Sequence, residues 1–223
     1  MANVTEVTEF TSLKPWLGSF LNLDKPRRVT QSVNEKERFS CNFETDDVSE
    51  IGRAKAAIIA CAREKWPALD AGAAIASDSL LVPLANGDKL ADRAAKKSAD
   101  SGKQRLREWS RGKQVLTARS EFAPATTIVE NGQAVVLEDG NAVARVKNKY
   151  FFTGANVLFA VVFNAYDAVG DGKPGVNAYL RAVESTGTGT QLIARRDPTE
   201  RFSASRGLAR DEDPTQEQHA SDW

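Results

Sequence analysis

Residues 156–166 constrain the fold most, because apolar side chains occupy both faces of the strand that this segment predicts. One face carries Val157, Phe159, Val161 and Phe163, and the other carries Leu158, Ala160 and Val162. Successive side chains of a strand point to opposite faces, so this strand must be buried on both sides. A small, strongly curved barrel or a sandwich satisfies that requirement.

Further strands are predicted around this one, so that the fold is mainly β. In residues 37–43, Phe39, Cys41 and Phe43 alternate with polar residues. Asn131-Gly132, the strongest short hairpin signal, joins two predicted strands. The other predicted strands cover residues 114–122, 127–130, 133–137, 142–152, 176–182 and a short stretch near 191–194.

One helix is predicted over residues 48–66, where apolar residues recur at helical spacing from Ile51 to Trp66. Asp46 and Asp47 precede it as candidate caps, and Pro67 ends it. We expect Trp66 to anchor this helix in the core. Residues before 37 are expected to be irregular, and the charged residues 84–104 to form a mobile insertion with one marginal helix.

Composition argues against most enzyme classes. The single histidine, His219, lies near the C-terminus, so neither Ser-His or Cys-His nucleophile chemistry nor an ordinary zinc site is expected. Cys41 and Cys61 match neither a disulfide framework nor a metal site, and we expect both to be reduced and buried. We therefore predict a non-enzymatic protein with no metal and no cofactor.

Carboxylate chemistry with magnesium is the enzymatic alternative, and it corresponds to a nuclease or resolvase. It would use acidic residues that lie where turns are expected, and turn formation or helix capping accounts for them more simply. The residues concerned are Asp46, Asp47, Asp139, Asp167 and Asp171.

The formal net charge of zero conceals an uneven distribution. All 30 Lys and Arg residues precede residue 211, but only 25 of the 30 Asp and Glu residues do, so residues 1–210 carry a net charge of +5. Residues 211–223 are acidic and poor in apolar residues, which predicts a disordered tail attracted to the basic body. A purely solubilising tail is the alternative. The acidic residues and the final aromatic residue of this tail are Asp211, Glu212, Asp213, Glu217, Asp222 and Trp223.

No apolar run is long enough for a membrane helix, and MANVTEVTEF at the N-terminus does not resemble a signal peptide. These features predict a cytoplasmic protein with no membrane partner. We expect one domain over residues 1–200 and a flexible acidic tail over residues 201–223.

Two segments combine cations with aromatic rings, as a groove for single-stranded nucleic acid requires. The first, residues 105–122, contains Trp109, Lys113, Arg119 and Phe122. Such cationic rows are also typical of solvated surfaces.

In the second segment, residues 145–152, the cations alternate. Arg145, Lys147 and Lys149 would line one face if this segment is a strand. One face of cations on a strand suits a groove that follows a phosphate backbone.

Several short motifs occur in a recognisable order between residues 16 and 194. They are FLNLDKPR (20–27), FSCNF (39–43) followed by the alanine-rich helix ending in EKW (64–66), PLANGD (83–88), LTARS (116–120) with Pro124, TGA (153–155), FNAYD (163–167) and GVNA (175–178). In their order and spacing they resemble the tailed-phage replication proteins that bind single-stranded DNA.

The resemblance implies an OB-fold barrel with one packed helix and an extra hairpin, sequence-tolerant binding of single-stranded DNA in the cytoplasm of an infected bacterium, and a tail that contacts phage or host replication proteins. Tyr166 would stack on bases at the barrel rim, although Asp167 and Ala168 depart from the pattern of some relatives. Glu121 also departs from it, and we place Glu121 outside any phosphate contact.

The predicted DNA-binding residues are therefore the rings of Tyr166, Trp109 and Phe122 and the cations Lys113, Arg119, Arg145, Lys147 and Lys149. Phe20 and Trp16 are expected to attach the N-terminal segment to the barrel. A structural or assembly protein of a phage, and a module for double-stranded DNA or RNA, remain as alternatives.

Overall fold

The computed structural model describes residues 8–28, 36–101, 107–168 and 172–193. The strands in these ranges are β1 (Thr8–Thr11), β2 (Trp16–Arg27), β3 (Arg38–Thr45), β4 (Leu84–Asn86), β5 (Gln114–Ser120), β6 (Ala125–Glu130), β7 (Gln133–Leu137), β8 (Ala155–Tyr166) and β9 (Gly175–Gly189). The α-helices are α1 (Val48–Lys65), α2 (Ala71–Ala76), α3 (Gly87–Ser101) and α4 (Gly140–Tyr150), and Glu108–Ser110 form a 3-10 turn.

Five strands close into a barrel in the order β8-β2-β3-β5-β9, because β9 pairs back onto β8. β9 runs parallel to β5, and the other pairs of the barrel are antiparallel. A closed five-stranded barrel with this order is the OB fold that we predicted. The β6–β7 hairpin extends the sheet from the edge of β9. Strand β1 pairs with residues 160–163 of β8, and β2 pairs with residues 155–157 of the same strand.

The barrel interior is aromatic. Phe159 of β8 stacks on Phe43 of β3 with ring centroids 3.8 Å apart, and Trp16 of β2 meets Phe159 edge-on at 5.2 Å. Cys41 and Cys61 are buried and unbridged, as predicted. On the other face of β8, Leu158 and Ala160 are half-buried, so that this face is less enclosed than its apolar sequence suggests.

Helix α1 has the predicted start and cap, and it ends at Lys65, one residue before the predicted end. The Asp47 side chain accepts a hydrogen bond from the Glu50 amide, and the helix buries Ala54, Ile58, Cys61 and Ala62. Trp66 follows the last turn, where it is half-buried against the core and donates its indole N–H to Asp167.

The prediction that residues before 37 are irregular is wrong, because β1 and β2 lie there. The pairing of β2 with β3 changes register between Ser19 and Asn22, and Phe20 has a φ of 52°. Such a bulge shifts the inward positions from Trp16 and Gly18 to Leu21 and Leu23. It thereby breaks the alternation by which a strand is recognised.

The strand predicted over residues 142–152 is also wrong, because this segment forms α4. The Asp139 side chain caps it by accepting from the Ala142 amide at 2.7 Å. Val143 and Tyr150 are buried seven residues apart and Val146 is half-buried between them, which is helical spacing. The alternating cations obscured this period.

Two smaller predictions also differ from the structure. Where a mobile insertion with one marginal helix was expected, residues 84–101 form β4 and the 15-residue helix α3. Asn86 begins α3 by accepting from the amides of Asp88 and Lys89. Besides the predicted helix α1 and the helix in residues 84–104, the described ranges contain α2 and α4. Residues 191–193 do not form the short strand predicted near 191–194, and the last strand, β9, ends before them at Gly189.

The candidate tail, residues 201–223, lies outside the described residues. Within the described ranges, no helix has the length and apolar character needed to cross a membrane.

Candidate nucleic-acid interface

A row of side chains crosses the outer face of the barrel over four strands. Asn22 of β2 pairs with Ser40 of β3, Ser40 pairs with Arg119 of β5, and Arg119 pairs with Tyr179 of β9. Residues that are directly opposite on adjacent strands project from the same face, so these four side chains lie side by side. They form the centre of what we call the outer-face row.

Buried and more exposed side chains alternate along the strands, and the side chains of the row are at the more exposed positions. In β9, Val176, Ala178 and Leu180 are buried, whereas Asn177, Tyr179 and Arg181 between them are exposed. The Tyr179 side chain is 41% exposed. Its ring therefore offers a flat, accessible surface beside a guanidinium group.

Arg119 is half-buried, and no carboxylate in the described part of the chain pairs with it. Arg181 likewise has no acidic partner there and is exposed. Unpaired cations beside an exposed aromatic ring provide the two kinds of contact that single-stranded nucleic acids use, phosphate neutralisation and base stacking.

A second row of polar side chains adjoins the first. Asn42 of β3 pairs with Thr117 of β5, and the Thr117 hydroxyl donates to the Asn42 side-chain oxygen at 2.9 Å. Asn22 donates to the Ser40 hydroxyl at 3.2 Å. The middle of this face is therefore polar and, in these two rows, without acidic groups.

Tyr166 lies on the same face, because it pairs with Gly175 and Gly175 is four residues before Tyr179 on β9. The two tyrosines are thus about 13 Å apart along the strand. A Cβ on Gly175 would lie 2.5 Å from the Tyr166 hydroxyl oxygen, so the half-buried Tyr166 ring covers this glycine. One side of the ring is therefore used for packing.

Phe122 follows β5 and is 80% exposed. Its neighbour Glu121 binds Arg38 at 3.3 Å and Lys36 at 3.5 Å. Glu121 thus neutralises two cations near this ring. The placement agrees with the expectation that Glu121 contacts no phosphate, which stays a prediction.

The predicted cations of residues 145–149 are not part of this face. On α4, Arg145 and Lys149 are one turn apart while Lys147 points away from them. Lys147 binds Asp24 at 2.6 Å, and Lys149 binds Glu130 at 3.3 Å. These cations were selected because they would line one face of a strand, and that prediction is wrong because the segment is a helix. Helix α4 packs against β2 and β9.

Lys113 and Trp109 are close together. The Lys113 ammonium group donates to the Trp109 carbonyl oxygen at 2.6 Å, and the half-buried Trp109 indole donates to Glu44. Of the predicted DNA-binding residues, Arg119 and Tyr166 therefore lie on one face. Trp109 lies on the 3-10 turn and Lys113 in the loop after it. The three cations of α4 are separate from both groups.

The acidic residues considered for magnesium chemistry do not converge. Asp47 and Asp139 cap helices, as the simpler interpretation predicted, and Asp167 binds Lys65 at 2.8 Å. The hydrogen bond from Lys65, followed by that from Trp66, lowers the pKa of Asp167. Asp171 lies outside the described residues, and within them no group of three His, Cys, Asp or Glu side chains is placed to hold a metal ion.

Sequence reasoning missed Tyr179, and it assigned Phe20 a packing role. Alternation of buried and exposed positions in residues 176–181 would have revealed the exposure of Tyr179. Its position beside Arg119 depends on a parallel pairing between distant strands, for which no local pattern exists. Trp16, by contrast, is buried in the barrel core.

The fold is an OB barrel of the kind found in solved phage proteins. The single-stranded DNA-binding protein from bacteriophage Enc34 matches with a TM-score of 0.57 at 15% identity, over 91% of this chain and 97% of that one. The same phage protein in complex with single-stranded DNA matches with a TM-score of 0.56 at 13% identity, over 86% and 97%.

A second phage protein has the same architecture. The single-stranded DNA-binding protein gp2.5 of bacteriophage T7 matches with a TM-score of 0.52 at 12% identity, over 85% of this chain and 97% of that one. No protein-family model and no curated protein matches the sequence. At these identities, the similarity establishes the OB-type fold.

Proposed function

We propose that this chain binds single-stranded DNA without sequence specificity, across the outer face of its barrel. The observation that carries the proposal is the pairing of Arg119 with Tyr179, which places a cation without an acidic partner beside an exposed ring. The corresponding face of OB barrels binds oligonucleotides. The solved phage proteins that share this fold are single-stranded DNA-binding proteins, one of them in complex with single-stranded DNA, and they also support this assignment.

Binding would involve no covalent chemistry. Arg119 would neutralise a phosphate, Tyr179 and Tyr166 would stack on bases, and Phe122 would extend the path beyond the end of β5. Each stacked base contributes roughly 1–3 kcal/mol to binding. Because every base has a flat face, such a surface tolerates any sequence.

The cellular role that we propose follows from the same chemistry. The protein would coat exposed strands during phage DNA replication or recombination, in the cytoplasm of an infected bacterium. Its acidic residues 211–223 would compete with DNA for the basic body and, once displaced, would recruit phage or host replication proteins. This role needs neither a cofactor nor an enzymatic activity.

A fluorescence anisotropy titration of matched single-stranded and duplex oligonucleotides, at two salt concentrations, tests the proposal. We expect tighter binding of the single strand, because stacking needs unpaired bases, and a loss of affinity as salt rises. Equal affinity for both forms would indicate a duplex-binding module. Absence of binding at low salt would favour the structural or assembly protein.

A further inference from the structure

An aromatic and cationic cluster, formed by Phe20, Arg107 and Trp109, lies at one end of the outer face. The rings of Phe20 and Trp109 are 6.3 Å apart, and the Arg107 guanidinium lies 5.2 Å from the centre of the Phe20 ring. The Phe20 side chain is 43% exposed. Two rings and a guanidinium group are thus collected at a solvent-accessible position.

Packing in the core does not account for Phe20. It is in the left-handed region with a φ of 52°, which glycine and asparagine adopt more easily than phenylalanine. Its ring is also too exposed to contribute fully to the core. An exposed aromatic side chain at a strained bulge indicates a role in contacting a ligand.

Glu44 holds this cluster in place from below. Its buried carboxylate accepts from Arg107 at 3.2 Å, from the Trp109 indole at 3.3 Å, and from the hydroxyl groups of Ser19 at 2.5 Å and Ser110 at 2.7 Å. Because the indole N–H is bound, the plane of Trp109 is fixed. The salt bridge to Glu44 likewise holds the guanidinium group of Arg107 over Phe20.

The cluster extends from the outer-face row towards the end of β3, because Phe20 is two residues from Asn22 on β2 whereas Glu44 lies farther from the row. Glu44 is four residues from Ser40 on β3, and Ser40 belongs to the row that contains Arg119 and Tyr179. Four residues of a strand span about 13 Å. A DNA strand long enough to contact the row and to continue past it would reach the cluster.

We propose that Phe20, Arg107 and Trp109 form a second base-stacking position, and that Glu44 is the residue that positions it. This inference rests on the proposed function. A rigid, preorganised ring pair loses little entropy when a base stacks on it. The second position would set the length of DNA that the protein needs for full affinity.

The matched variants Phe20→Asn and Phe20→Trp test this with oligothymidylates of increasing length, from about 4 to about 16 nucleotides. Asparagine tolerates the left-handed backbone, so thermal stability should be kept while the ring is lost. For the longest oligothymidylate we expect about a 10-fold loss of affinity in Phe20→Asn and none in Phe20→Trp. The shortest oligothymidylates should bind equally to all three proteins.

Tryptophan fluorescence provides a second measurement, which would not change on DNA binding if the cluster had only a structural role. Stacking should quench Trp109 when a long oligothymidylate binds, and the quenching should disappear in Trp109→Phe. Glu44→Gln should reduce the quenching and the affinity for the longest oligothymidylate together. The double variant of Glu44→Gln with Phe20→Asn should then bind no more weakly than Phe20→Asn alone.

Wild-type affinity of Phe20→Asn for the longest oligothymidylate would overturn the second position. If Arg119→Gln still weakened binding, the proposed function would stand. Unchanged quenching in a folded Glu44→Gln protein would remove the positioning role of Glu44 alone. If the wild-type chain bound no single-stranded DNA, the proposed function itself would fail.

Discussion

Arg119 and Tyr179 are cross-strand partners where β5 meets β9, and together they carry the functional argument. Arg119 and Arg145 each lack an acidic partner in the described part of the chain, but only Arg119 lies on the outer face. This contrast provides a matched pair of cations on two different surfaces.

Arg119→Gln should weaken binding of single-stranded DNA and reduce the salt dependence of log K by about 0.7, the contribution of one phosphate contact on a single strand. Arg145→Gln removes the same charge from α4 and should change neither quantity. Anisotropy titrations at several salt concentrations measure both. The opposite result would favour the cations that the sequence predicted on residues 145–149.

Tyr179→Ala should weaken binding by about 1–3 kcal/mol, because a stacking surface is lost, while the salt dependence stays as in the wild type. Tyr179→Phe keeps the ring and should bind nearly as well. The same titrations, with thermal unfolding to verify the fold, separate ring from charge. If Tyr179→Ala and Tyr179→Phe were equally impaired, the hydroxyl group rather than stacking would be responsible.

At the scale of elements, helix α4 is attached to β2 through Lys147 and Asp24. Burial acts to raise the pKa of Asp24, but the hydrogen bond from Lys147 and its charge outweigh it, so that the pKa of Asp24 is lowered. A carboxylate whose pKa is lowered on folding stabilises the folded state above its unfolded pKa of about 3.9. That contribution is lost as the pH falls through the folded value.

Asp24→Asn should therefore lower the free energy of unfolding near neutral pH by up to about 1 kcal/mol. The difference from the wild type should shrink as the pH falls below about 4. Urea unfolding across this pH range measures it. Asp100→Asn, at an exposed carboxylate of α3, is the control and should follow the wild-type curve; a constant difference for Asp24→Asn at all pH values would exclude the ion pair as its cause.

Elements could be predicted from the sequence where several local signals agree. Helix α1 combines the Asp47 cap, an apolar stripe and Pro67, and the β6–β7 turn has Asn131-Gly132. The predictions for α4 and β2 were wrong because one local feature in each concealed the spacing of its apolar residues. In α4 this feature is the alternating cations, and in β2 it is the bulge at Phe20. Aromatic and cationic composition selected Arg119 and Trp109 as candidates, but it did not predict which surface they occupy.

At the scale of the whole molecule, closure of the barrel decides which side chains meet. The pairing of Arg119 with Tyr179 joins residues from distant parts of the chain, and no short-range pattern specifies it. The charge distribution, by contrast, can be read directly from the sequence. Five acidic residues and no Lys or Arg occur in residues 211–223, against a net charge of +5 in residues 1–210.

Deletion of residues 211–223 should raise the affinity for single-stranded DNA at low salt. A tethered acidic segment has an effective concentration that reaches about millimolar, so that even weak contact with the basic body competes with DNA. The gain should decrease as salt screens the charges. Titrations of the full and shortened chains at low and moderate salt compare them, and equal affinities at low salt would rule out competition.

The central claim is that single-stranded DNA lies across the outer face of the barrel, and photocrosslinking tests it most directly. Oligothymidylate containing 5-iododeoxyuridine would be crosslinked to the full chain, and the modified peptides identified by mass spectrometry. The account predicts crosslinks to the aromatic residues of the outer face, with Tyr179 of β9 among them and Phe122 at the end of β5. Crosslinks confined to α4 or to the β6–β7 hairpin, with Tyr179 unmodified, would contradict it.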